Sequence, residues 1–298
     1  MAKIAVELRR ALAQRKRHGT RGGTSSRIIA EGSGWTVADV ICTSGPHDPT
    51  FEERHTHSAI AIVLAGSFQY ATGRSRMLMT PGSLLLGNRD QCYECGHAHG
   101  DGDRCVSFWY APDFIERLAA DAGARSGRMR FAAPRLPAIR EMSPLVARAA
   151  LGVSGAADVG WEELAIDLAV RAIGLVNDTR GETGAPPNAE ARVSRAARAI
   201  DGGPEGALTV ARLARAAGLS PFHFLRTFER LTGVTPHQYV LRARLRAAAV
   251  RLVEEPGNVL EIALDSGFGD VSNFNRAFRA EFQASPTAFR ERHTKRVS

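Results

Sequence analysis

The rhythm of apolar and polar residues changes twice along this chain. Between about 27 and 110, apolar residues fall in short runs cut by Gly, Pro and Asn. The runs at 35–42, 59–64, 67–71, 83–86 and 106–110 predict strands. Several short strands separated by turn residues imply a small β-sandwich or barrel. From Pro112 the spacing becomes helical, through Phe114 and Leu118, then Leu145, Val146 and Ala149, then Trp161, Leu164, Leu168 and Ile173. These stretches are expected to pack on the barrel and on a partner subunit. Residues 177–190, with Gly181, Gly184, Pro186 and Pro187, read as a linker. At the other end, Ile4, Leu8, Ala11 and Leu12 show helical spacing, but Arg15-Lys16-Arg17 and a Gly/Thr/Ser stretch follow. Residues 1–26 therefore read as a basic arm, expected to be disordered or to touch DNA.

The last hundred residues contain one helical pattern twice, 50 residues apart. Arg226, Phe228, Gly233, Thr235, Pro236 and Tyr239 are matched by Arg276, Phe278, Gln283, Ser285, Pro286 and Phe289. In the first copy Thr209 precedes a helix with core face Val210, Leu213, Ala214 and Ala217. Gly218 then supplies the positive φ of a sharp turn, and Ser220-Pro221 caps and starts a second helix. Phe224, Phe228 and Leu231 should face inward, leaving Phe222, His223, Leu225, Arg226 and Arg230 outside. In the second copy Val259, Ile262 and Ala263 precede Gly267, and Phe274, Phe278 and Phe282 form the inward stripe. Val271, Ser272, Asn273, Asn275, Arg276 and Arg279 surround that stripe. Arginine reads guanine edges or holds phosphate, and asparagine pairs with adenine, so the pattern predicts two DNA-reading helix-turn-helix units.

These residues resemble the AraC/XylS family of bacterial transcriptional regulators. The carriers are Leu213-Ala214, Gly218-Leu219-Ser220, Arg226, Phe228, Gly233, Pro236, Tyr239 and Arg244. In the second unit they are Ile262-Ala263, Gly267-Phe268, Asp270, Ser272, Phe274, Arg276, Phe278 and Ser285-Pro286. The resemblance covers roughly 195–292 and implies two subdomains joined by a rigid helix, reading successive major-groove segments. It places the base-reading positions on Phe222, Leu225 and Arg226, and on Val271, Ser272, Asn273 and Arg276. A linker helix of about 18 residues spans ~27 Å, short of the ~34 Å groove repeat, so some DNA bending is expected. Gln283 departs from the glycine usual at its position, which puts that turn in question. More loosely, His55-Thr56-His57, Leu64-Ala65-Gly66-Ser67 and 81–86 resemble the cupin-like N-terminal domain of the same family. The implied fold class is α+β: a cupin-like β-barrel with following helices, then an all-α domain of two helix-turn-helix units joined by a linker helix. The boundaries are a basic arm at 1–26, a sensor barrel at 27–111 and a helical packing and dimerisation region at 112–180. A linker at 181–191 and a DNA-binding domain at 192–298 complete the chain.

Charge supports this division. Residues 191–298 hold 17 Lys/Arg against 10 Asp/Glu, while the middle, 24–190, is net acidic within a chain of net charge +8. A basic end joined to a mildly acidic middle suits a nucleic-acid partner. The N-terminus lacks the apolar core of a signal peptide, and no run approaches a membrane span, so a cytoplasmic protein with no membrane partner is expected. Double-stranded DNA, a second copy in a homodimer and, for an activator, RNA polymerase are the expected partners.

Two further clusters carry candidate chemistry. In metal cupins an H-x-H pair on one strand shares a metal, so His55 and His57 are candidates for an effector pocket. The usual glutamate is missing, with Ala61 and Ile62 nearby, and Cys92-Tyr93 stands where a further histidine would fall. An enzyme is therefore not expected; the alternative is a cupin-type metal enzyme fused to a DNA-binding domain. A repair protein with a cysteine-containing metal fold finds no methyltransferase motif here. More unusual is the grouping of Cys92, Cys95, His97, His99 and Cys105 within 14 residues, with Cys42 outside it. Three thiols and two imidazoles suit zinc or another thiophilic metal, a thiol sensor, or buried cysteines beside loop histidines. No cofactor is fixed by this spacing. The predicted function is a sequence-specific transcriptional regulator whose N-terminal domain senses a small molecule, a thiophilic metal or thiol oxidation.

Overall fold

A computed structural model describes residues 3–73, 75–122, 129–176 and 187–294. Ten strands form two antiparallel sheets among these residues. The larger sheet contains β1 (Thr24–Gly32), β2 (Trp35–Cys42), β9 (Asp103–Tyr110), β4 (Ser58–Gly66), β7 (Leu84–Gly87) and β10 (Arg135–Leu136), in that order. The smaller contains β3 (Phe51–Arg54), β8 (Cys92–Gly96), β5 (Phe68–Thr72) and β6 (Ser75–Met79). Their facing surfaces enclose Val63, Phe68, Tyr70, Met77, Met79, Leu85 and Cys105. The other face of the larger sheet, with Ile60, Ile62, Leu84, Leu86, Val106 and Phe108, is covered by helices. Strand β4 is thus buried on both sides, which is why its sequence is a continuous apolar run instead of an alternation.

The covering helices are α2 (Pro112–Asp121), α3 (Ser143–Ser154) and α4 (Trp161–Val176). Leu145, Val146, Ala149 and Leu151 of α3 meet Leu164, Leu168, Ala172 and Ile173 of α4 in one core with the sheet. The expected linker 181–191 lies outside the described residues as far as 186. The chain resumes with α5 (Pro187–Gly202).

The N-terminal arm is not disordered from Lys3 onward. Lys3–His18 form α1, and Leu8 is buried against the barrel. Glu7 pairs with Arg104 at 2.6 Å, and Arg104 is in turn held by both Asp39 oxygens at 2.9 Å. Arg15 reaches Asp48 at 2.6 Å and the Thr43 carbonyl. A fully buried arginine must be paired, and β2 and α1 supply these partners. The run at 24–26, expected as part of a flexible link, is instead the start of β1.

The C-terminal half consists of α6 (Val210–Ala217), α7 (Pro221–Thr232), α8 (Pro236–Glu254), α9 (Val259–Asp265), α10 (Val271–Phe282) and α11 (Pro286–His293). Tyr239, Val240 and Ala243, in the first half of α8, close the core of Phe224, Phe228 and Leu213. Leu245, Ala249 and Leu252, in its second half, close the core of Phe274, Phe278 and Phe289, which is continuous with α3. Among the described residues no helix is long and apolar enough to cross a membrane.

Candidate DNA interface and barrel chemistry

Each reading helix is set by local signals. Thr209 caps α6 by accepting from the Arg212 N–H, and Gly218 closes it in the left-handed region at φ 64°. Ser220 then accepts from the His223 N–H at 3.3 Å, with Pro221 opening α7. Phe224 and Phe228 are fully buried and pack with their rings tilted, centroids 5.4 Å apart, fixing the helix face that points outward. Ser220, Phe222, His223, Leu225, Arg226 and Arg230 are exposed, as expected. Phe222 is 64% and Leu225 39% exposed, which adds apolar surface to the outer face of α7. The Arg226 guanidinium lies 5.7 Å from the Phe222 ring centroid, so cation and ring form one patch.

The second unit repeats the geometry with other residues. Asn258 caps α9, Gly267 turns the chain at φ 85°, and Asp270 caps α10 by accepting from the Asn273 N–H at 2.7 Å. Ser272, Asn273, Arg276 and Arg279 are exposed, while Val271 and Asn275 are half-buried. Arg276 lies 3.5 Å from the Asn273 side-chain oxygen. The turn after α10 persists without glycine: Gln283 adopts φ 55°, and its amide donates to the Ala280 carbonyl at 3.1 Å. Between the units α8 runs 19 residues behind a capping box of Thr235 and Gln238.

In the barrel the expected histidine pair does not converge. Residues 55–57 lie in the turn between β3 and β4, so strand alternation does not place both rings on one face. His55 points inward, with Nε2 2.9 Å from the Tyr70 hydroxyl and its ring stacked on Tyr93 at 4.1 Å. Burial lowers its pKa to about 4, so the imidazole is neutral. His57 is exposed beside Thr56. This geometry does not fit a cupin metal. A cleft of about 640 Å³ lies instead where α1, β4, α3, α5 and α8 meet, with Leu12, Val63, Val146 and Arg246 in its walls.

The five-residue Cys/His grouping is also divided. Cys92 is exposed, because it has the opposite strand parity to Cys95 on β8. His99 is half-buried beyond the strand end. His97, Cys95 and Cys105 point inward, and the residues that join His97 are Cys42 and Asp103. One donor atom from each of these three lies within 4.8 Å of the others, all buried. His97 Nε2 is 2.6 Å from Asp103 Oδ1, and the Cys105 thiol donates to Asp103 Oδ2 at 3.3 Å. Burial opposes charge on His97, but its hydrogen bond to Asp103 and the adjacent Cys42 thiol raise its pKa to about 9. Burial likewise resists ionisation of Cys42, and His97 outweighs it, holding that thiol below its ordinary value. Burial pushes the Cys95 and Cys105 thiols well upward. Cys42 and Asp103 face each other across the β2–β9 ladder. The sequence signal was a cysteine closing a strand, but its partner depends on pairing between residues 61 positions apart.

The helix-turn-helix domain family matches residues 213–292. The transcriptional regulator MtrA of Neisseria gonorrhoeae is 33% identical over 88 residues, 30% of this chain and 29% of MtrA. The regulatory protein SoxS of Salmonella typhimurium is 33% identical over 85 residues, covering 28% of this chain and 79% of SoxS. This chain therefore spans most of SoxS but under a third of MtrA. An AraC-type DNA-binding regulator from Chromobacterium violaceum, of known structure, shares 23% identity at a TM-score of 0.34, over 36% of this chain and 96% of its own.

Proposed function

This chain belongs to the AraC/XylS family of bacterial transcriptional regulators, and from that premise we propose that α7 and α10 read two successive major-groove segments of one operator. The supporting observation is that two capped helices, fixed to one continuous α8, each present an outer face with arginine and other polar side chains, joined on α7 by Phe222 and Leu225. Arg276 and Asn273 read base edges in the second segment, while Arg226 works beside Phe222 and Leu225, which suit thymine methyl groups in the first. The 19 residues of α8 span about 28 Å, so the DNA bends toward the protein. A homodimer built through the 112–180 helices and, for an activator, RNA polymerase complete the set of partners.

The barrel supplies the input, and a signal there biases how the two reading helices are presented. Direct docking of α5 on the barrel supports this reading: the Ser67 and Ser194 hydroxyls lie 2.9 Å apart, and Arg198 donates to the Ser67 carbonyl at 2.7 Å.

Affinity for an operator duplex that the full chain itself selects from random sequence tests the DNA reading. Asn273→Ala and Arg276→Ala are expected to lose about 1–3 kcal/mol of discrimination at the second segment. Arg226→Ala weakens binding with less loss of specificity. Equal loss on selected and random DNA for Asn273→Ala would remove its assignment as a base reader.

A further inference from the structure

We propose that Cys42, His97 and Asp103 form a binding site for a thiophilic divalent cation such as Zn²⁺, and that Arg198 couples its occupancy to the DNA-binding half. The donors come from both sheets: Cys42 closes β2, Asp103 opens β9, and His97 follows β8. A sulfur, an imidazole and a carboxylate, all buried and within 4.8 Å of one another, bring together the donor types that zinc takes. His97 adds an independent observation. Its side chain is 1% exposed, yet no hydrogen bond of acceptable geometry reaches Nδ1, although the Cys42 thiol lies against the ring. The ring is thus pinned through Nε2 alone, and a cation that replaces the proton between Nε2 and Asp103 would be shared by His97, Asp103 and the Cys42 sulfur.

A disulfide fits less well. Cys42 lies opposite Asp103, so Cys105 is its diagonal neighbour across the ladder, about 7–8 Å away, near or beyond the reach of a disulfide.

The coupling follows from the residues that hold the site. His97 and Asp103 flank a short loop whose Asp101 and Gly102 carbonyls accept from Arg198 at 3.0 and 3.4 Å. Arg198 lies on α5, beside the core of the first reading unit. Gly102 packs against the Cys42 carbonyl and against Leu8 and Leu12 of α1, so the arm seals this end of the barrel. Drawing His97 and Asp103 onto a cation moves the loop that α5 holds. This second part rests on the DNA-reading assignment above; the cation site does not.

The test uses the full chain, stripped with a chelator and titrated with Co²⁺ in the absence of DNA. We expect one equivalent to bind with thiolate-to-cobalt charge-transfer absorption and tetrahedral d–d bands, displaced by Zn²⁺. Cys42→Ser and His97→Gln should each weaken binding roughly tenfold or more, while Cys92→Ser leaves it unchanged. The absence of a stoichiometric thiolate–cobalt band in the wild-type protein overturns the site without recourse to any variant. A band lost in Cys92→Ser but kept in Cys42→Ser overturns it as well. Operator affinity with and without Zn²⁺ then reads the coupling: a severalfold shift in wild type that disappears in Arg198→Ala supports it. A cobalt band with no Zn²⁺ effect on operator affinity overturns the coupling alone. Failure to select any operator counts against the DNA reading instead.

Discussion

The two helix-turn-helix copies share a backbone plan but turn the same position to opposite uses. Leu231 of α7 and Glu281 of α10 are equivalent at the 50-residue offset, and both are buried. Leu231 packs in the first core, and its carbonyl accepts from Arg135 of β10 at 2.6 Å. Glu281 faces Arg242 of α8 at 3.3 Å and Arg140 at 3.6 Å, and accepts from the Ser143 hydroxyl at the start of α3. At this position the first copy meets the barrel through backbone and apolar contact, whereas the second adds a buried charge to its apolar packing on α3. Duplication preserved the inward phenylalanines and left the residues at the seams free to diverge with what each copy touches.

The largest break in this comparison should come from Glu281→Ala. It strands Arg242, whose side chain is 11% exposed, and is expected to cost about 3–5 kcal/mol. Leu231→Ala should cost about 2–4 kcal/mol through its cavity. Urea unfolding of the full chain checks both, and equal neutrality of the two would deny the seams any role in stability. Next come the caps. Asp270→Ala should cost about 1–2 kcal/mol and Ser220→Ala about 1, because the Asp270 bond is the shorter, 2.7 against 3.3 Å; a larger loss at Ser220 would reverse that ranking. The smallest effect is a gain. Gln283→Gly relieves a left-handed non-glycine residue and should stabilise by about 0.5–1 kcal/mol, whereas Gly233→Gln should destabilise by a similar amount. Thermal midpoints of the pair test it, and a loss in Gln283→Gly would mean the amide bond to Ala280 outweighs the backbone strain.

Legibility in the sequence tracked how local each signal was. Thr209, Ser220, Asp270 and Ser285 act within three residues of themselves, so both reading helices and their turns could be read directly. Strand β2 was equally plain, and so was the long apolar run of β4. Strand β1 escaped because it is an edge strand, mostly exposed, without alternation. Strands β3 and β8 carry Glu52, Glu53, Arg54 and Glu94, which look like loop composition until they pair. The order in α1 depends on Asp39 and Arg104 far along the chain. The inner cluster failed for the same reason. Spacing suggested neighbours within 92–105, whereas antiparallel pairing brought in Cys42 and parity turned Cys92 outward.

The single helix shared by both cores also sets a phase. From His237 to Glu254, α8 contains neither glycine nor proline. Each half is also buried in a different core, so one reading head cannot rotate about the helix without unpacking its own side of it. With α7 and α10 on successive segments as proposed above, the molecule would measure DNA as a ruler of fixed pitch. Inserting about half a helical turn, roughly 5 base pairs, between the two operator segments would carry the second to the far side of the duplex, beyond any adjustment this helix allows.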